Sequence, residues 1–141
     1  MRVREPERCP MERRWKVLIV ENDPLVAWTM DEVLSLIGFE VVGVATRVSE
    51  ALRIAESKNP HLAIFDVRLA GRRDGVEGAS LLRDRLGLPS VFVNAHGDGA
   101  SRERANKAGA VGYIDDPVHF RQLISVVMSR SRGAGPRLCS L

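Results

Sequence analysis

Cysteine is scarce in this chain: Cys9 and Cys139 stand near opposite ends, which is neither a disulfide framework nor a metal-ligand spacing. No uninterrupted apolar run approaches the roughly 20 residues that a membrane-spanning helix needs. The opening stretch, MRVREPERCPMERR, lacks the apolar core of a secretion signal, so a cytoplasmic location is expected. Aromatic residues make up only 5% of the chain, and the basic ends contain few of them and no amphipathic period. Solvated ends are therefore expected, with no nucleic-acid or membrane partner.

What is present is a balanced composition, 45% hydrophobic and 28% charged, in 141 residues, enough for one ordinary domain. The formal charge of +3 is unevenly placed. Residues 1–16 carry six basic and three acidic side chains and residues 129–141 three basic and none acidic, which leaves the body, 17–128, at −3. We expect a basic tail over 1–14, a domain over 15–129 and a flexible tail over 130–141, the last rich in Gly, Ser and Arg.

Strand and helix patterns alternate along the body. Val17–Val20 is a β-branched apolar run, after which Asp23 supplies a helix cap and Pro24 a first-turn proline. Val26, Met30, Val33 and Ile37 then recur at helical spacing up to Gly38. A second strand is expected over Phe39–Ala45, and a helix capped by Ser49 carries Ala51, Leu52 and Ala55 to a stop at Asn59-Pro60. A third strand, His61–Phe65, is followed by a helix bearing Ala79, Leu81, Leu82 and Leu86. A fourth, Val91–Val93, is followed by a weakly apolar helix starting at Asp98 or Ser101, with Ala105 and Ala108. A fifth, Val111–Ile114, precedes a last helix from Pro117 that buries Phe120, Leu123, Ile124, Val127 and Met128. Five βα units in this length predict an α/β fold, a doubly wound five-stranded parallel sheet with helices on both faces.

The strands end in polar residues. Glu21, Asn22 and Asp23 follow the first, Asp66 the third, Asn94 the fourth, and Asp115 and Asp116 the fifth. Ligands of open α/β sheets bind beyond the carboxyl ends of the strands, so Glu21, Asn22, Asp66 and Asn94 form a candidate site.

The segments LIVENDP, IFDVRLAG with its later DG, FVNAHGD and AGAVGYIDDP occur in the order and spacing of one family. The chain resembles the receiver domain of bacterial two-component response regulators, a flavodoxin-like (βα)5 fold, over about Trp15–Ser129. The similarity is closest to single-domain receivers with a glycine-containing loop after the third strand. The resemblance implies a protein that is not an enzyme but a phosphorelay module. In it Asp66 takes a phosphoryl group from a sensor histidine kinase or phosphotransfer protein. The state is then passed to a downstream protein target by contact, usually through the face over 98–130, which also offers a route to a homodimer. It further implies Mg²⁺ held by Glu21, Asn22, Asp66 and the backbone carbonyl of Arg68, and an aromatic switch at Tyr113.

Three of the family's five side-chain positions are altered: Asn22 replaces an acidic residue, Asn94 a Ser or Thr, and Asp116 a Lys. Asn22 keeps an oxygen ligand but removes a negative charge, which weakens Mg²⁺ binding. Asn94 still donates a hydrogen bond, with a different reach. Asp116 is the severe change. An ammonium about 4 Å from a phosphoryl oxygen contributes about 4 kcal/mol of attraction at an effective dielectric near 20, and a carboxylate reverses that sign. Crowding of Glu21, Asp66 and Asp116 without a cation is expected to raise at least one pKa.

These departures keep a second reading open, a degenerate receiver that acts as a phosphorylation-independent binding or scaffold module. Asp116 has two readings, a surface carboxylate or a hard-cation ligand; Arg68, Arg72 and Arg73 are solvated or substitute for the lysine. His96 is a loop histidine with the alternatives of base or ligand, and Trp28, off the apolar stripe, is an exposed aromatic or an interface marker. An aspartyl-phosphate phosphatase would need an acid where Arg68 stands. A flavin carrier would need Ser, Thr and Gly donors where Glu21 and Asp23 stand.

Overall fold

The computed structural model describes residues 14–66, 75–93, 103–104, 106–114 and 120–133. The expected residues Arg68, Arg72, Arg73, Asn94, His96, Asp98, Ser101, Ala105, Asp115, Asp116 and Pro117 lie outside them, as do the side chain of Phe120 and both cysteines. Among the described residues the elements are β1 (Lys16–Val20), α1 (Pro24–Leu36), β2 (Glu40–Ala45), α2 (Val48–Lys58), β3 (Leu62–Asp66), α3 (Gly75–Leu86), β4 (Ser90–Val93), β5 (Ala110–Tyr113) and α4 (Phe120–Gly133). Glu103, Arg104, Asn106 and Lys107 are also helical.

All four strand pairings are parallel, in the order β2-β1-β3-β4-β5. The direction of winding therefore reverses at β1, and the gap between the carboxyl ends of β1 and β3 is the topological switch point. β1 and β3 are buried on both faces, which is why they read as unbroken apolar runs. Their alternate residues feed two separate cores. Leu18, Val20, Ala63, Phe65 and Phe92 pack with Ala51, Ala55, Ala79 and Leu82 of α2 and α3. Val17, Ile19, Ile64, Val91 and Val93 pack with Ala27, Met30 and Leu34 of α1 and Leu123 and Val127 of α4.

Local chemistry explains the element ends. Asp23 caps α1, its Oδ1 accepting from the N–H groups of Leu25 at 3.0 Å and Val26 at 3.4 Å, with Pro24 in the first turn. Asn59, left-handed at φ 50°, closes α2.

Several expectations are corrected. The buried stripe of α1 is Ala27, Met30 and Leu34, with Val26 and Ile37 at its margin. An apolar face wider than one row does not reveal its own centre, and small Ala27 sits where the helix meets the sheet. Ser49 does not cap α2: Arg47 takes the cap position without a side-chain bond, because Val48 is drawn into the core as the first helical residue. In α3 the buried side includes Gly75, Val76 and Gly78, and Leu86 is exposed. Phe39 precedes β2 and is buried against Trp15, with ring centroids 6.3 Å apart. β5 starts and ends one residue earlier than expected, at Ala110 and Tyr113, although the Ile114 N–H still donates to the Phe92 carbonyl at 2.7 Å. α4 runs on to Gly133, past the expected edge at Ser129; Ser131 is buried and its hydroxyl donates to the Met128 carbonyl at 2.9 Å.

Candidate functional site

β1 and β3 pair in register through Val20 and Phe65, so the residues that follow, Glu21 and Asp66, arrive side by side at the switch point. Both carboxyl groups are buried, Glu21 at 1% and Asp66 at 3% exposure. Buried acids are rare unless paired or put to use. Glu21 is held from two sides: its N–H donates to the Ala45 carbonyl at 2.9 Å, and its Oε1 accepts from the Asp23 N–H at 3.1 Å. Its other oxygen, Oε2, is buried with no partner in well-formed hydrogen-bonding geometry, although the Asp66 carboxyl stands within reach of Glu21 as a hydrogen-bonding neighbour and a like charge.

Burial pushes the Glu21 carboxyl up to about 8; the contact with Asp66 and the charges of Asp66 and Asp23 add to the rise, and the Asp23 N–H opposes it. Crowding of carboxylates is thus a contributor, and loss of water the first cause.

Asn22 and Asp23 are exposed. Asp23 is engaged in capping α1, so it does not replace the carboxylate missing at Asn22. Val93, the last residue of β4, pairs with Asp66 across β3 and β4. Tyr113 pairs with Phe92; its ring packs against the core shared by α2 and α3, and its phenol oxygen is buried. Trp28 lies outside the site on the exposed face of α1, at 62% exposure, with Leu25.

The donor set suits a hard cation: two adjoining carboxyl groups, one presenting a buried oxygen without a partner. Among the described residues no group of three or more His, Cys, Asp or Glu gathers into a metal site; Glu21 and Asp66 are the two described carboxyl groups that meet there. Two supports of Glu21 escape sequence reasoning, the Ala45 carbonyl and the Asp23 N–H. The first depends on strand register; the second has a local signal in the tight E-N-D spacing after a strand.

Fold and site define a receiver-type α/β module, and the family model for the response regulator receiver domain matches residues 17–128. The chain belongs to that family. It is 36% identical over 112 residues to the transcriptional regulatory protein PdtaR of Mycobacterium tuberculosis, covering 79% of this chain and 54% of PdtaR. It is 29% identical over 124 residues to the phyllosphere-induced regulator PhyR of Methylorubrum extorquens, covering 86% of this chain and 46% of PhyR. The chain thus spans about half the length of these relatives. The structure resembles a CheY-like receiver domain protein from Methanospirillum hungatei at a TM-score of 0.74 and 26% identity, covering 83% of this chain and 93% of that one. Domains of this family are in general non-enzymatic signalling modules served by a kinase or phosphotransfer protein. No helix among the described residues is long and apolar enough to cross a membrane.

Proposed function

We infer that Asp66 is the phosphoacceptor of this receiver. The observation that carries the reading is the buried Glu21–Asp66 pair at the carboxyl ends of the two central strands, with Glu21 Oε2 buried and in no well-formed hydrogen bond. A carboxylate oxygen of Asp66 attacks the phosphorus of a phosphohistidine on a sensor kinase or phosphotransfer protein. The P–O bond forms, the P–N bond breaks, the imidazole leaves, and Asp66 carries an acyl phosphate. Glu21, Asp66 and the side-chain oxygen of Asn22 are the described residues that would hold Mg²⁺, joined by the carbonyl of Arg68, which lies outside them; the ion would supply the positive charge that two anions need in order to approach. Glu21 must give up its proton for that role. The state passes by protein contact, through the 98–130 face, to a downstream target or a second copy, in the cytoplasm.

A second reading, phosphorylation-independent binding, is favoured by Asp116 at the family's lysine position and by the buried phenol oxygen of Tyr113. A switch residue already turned inward has less to gain from modification. Transfer of labelled phosphate from autophosphorylated histidine kinases to the wild type and to Asp66→Ala, with and without Mg²⁺, separates the two. Mg²⁺-dependent labelling lost in Asp66→Ala supports the receiver reading. An unlabelled wild type, together with no mass gain from a small-molecule phosphodonor, supports the binding module.

A further inference from the structure

α3 and the segment that leads into β5 are joined by one side chain. Arg83, in the last turn of α3, donates from Nη1 to the carbonyl oxygen of Lys107 at 2.7 Å. Lys107 lies at the end of a helical stretch in which the Ala108 N–H donates to the Arg104 carbonyl at 3.0 Å and the Gly109 N–H to the Asn106 carbonyl at 3.1 Å. Carbonyls at a helix end have no intrahelical partner, and a cation is favoured there. Here that cation comes from a different element.

Gly109 makes the approach possible. Its backbone is left-handed at φ +81°, and a Cβ built on it would lie 2.4 Å from Arg83 Cδ and 3.1 Å from Nη1. Beneath the contact, Ala108 is buried in the same apolar cluster as Leu82. The other contact of the guanidinium, with Asp84 Oδ1, is long at 3.4 Å and solvent-exposed, so it competes weakly. β5 begins at Ala110, directly after this junction, and ends at Tyr113.

We propose that Arg83 is a latch: its bond to Lys107 holds the 106–109 turn against α3 and so sets how β5 and Tyr113 enter the sheet. The latch acts on the face assigned above to partners, and it operates whether or not Asp66 is phosphorylated.

Backbone amide exchange in the full chain tests it. Arg83→Met keeps the aliphatic stem against Gly109 and removes the donors. Amides of 106–113 should exchange about three- to tenfold faster in this variant, with those of Val17–Met30 unchanged. Unchanged rates over 106–113, or the same acceleration everywhere, would overturn the proposal. Arg83→Lys, which restores a cation on a stem of similar length, should recover part of the protection over 106–113. Exchange there as fast as in Arg83→Met would equally rule out the latch.

Discussion

Glu21 and His61 pull the pH dependence of this domain in opposite directions. The Glu21 carboxyl titrates near 8 in the folded protein and near 4.5 when unfolded, so the native state binds more protons between those values. Its contribution is complete below about 4.5 and is lost as pH rises through 8. Glu21→Gln, which mimics the protonated acid, should be more stable than wild type at pH 8 in the absence of divalent cations, by up to a few kcal/mol, and nearly equal to it at pH 4.5. Chemical denaturation in chelator at the two pH values measures this; equal differences at both would contradict it. His61 is depressed below its usual 6.5, first by burial and then by Lys16, with Glu40 opposing. Its Nδ1 accepts the Lys16 N–H at 2.9 Å, so the ring must stay neutral, and it stacks on Trp15 with centroids 5.5 Å apart. Stability from His61 is therefore present above 6.5 and falls as pH drops below it. In a Trp28→Phe background, Trp15 fluorescence should decrease on acidification as the imidazolium forms, and His61→Gln should abolish the transition.

Among elements, α2, α3 and β3 meet closely at Gly78. Gly78 has no side chain because a Cβ would stand 2.8 Å from Val48 Cγ2 and 3.0 Å from Phe65 Cε1. Phe65 directly precedes Asp66, the proposed acceptor, so crowding at Gly78 falls next to the candidate site. Gly78→Val should destabilise by about 1–3 kcal/mol, seen as a lower urea midpoint. An unchanged midpoint would mean that α2 slides away at no cost. At the start of α1, Asp23→Ala should cost about 1 kcal/mol through loss of the cap. The alternation of strand and helix was legible from apolar periodicity, and so were the α1 cap and the α2 stop. The helix faces were less so. Ala27 and Gly78, both small, sit where a helix packs closely on its neighbours, and an apolar count gives them little weight. Val48 became the first residue of α2 because the core needed it, overriding the better capping chemistry of Ser49.

For the whole molecule, the question is whether the balance of charge in the site permits phosphorylation. If Asp116 occupies the lysine position electrostatically, Asp116→Lys should increase modification of Asp66 by a small-molecule phosphodonor with Mg²⁺ more than tenfold, read by intact mass. No increase would mean that Asp116 does not act on the phosphoryl group. The motifs around Glu21, Asp66 and Tyr113 were enough to infer a receiver fold, because each couples an apolar strand to a polar end in a characteristic order. Chain order also placed Glu21 directly after β1 and Asp66 at the end of β3. Burial was another matter. That Glu21 and Asp66 share a water-poor gap, that Glu21 Oε2 lacks a partner, that Ala45 anchors Glu21 and that Arg83 reaches Lys107 all follow from contacts between segments distant in the chain. Periodicity and capping act within a few residues, so they are written in local sequence. A carboxyl's solvation, its pKa and its neighbours depend on strand register and on which helix covers which face, and these exist only once the sheet has assembled.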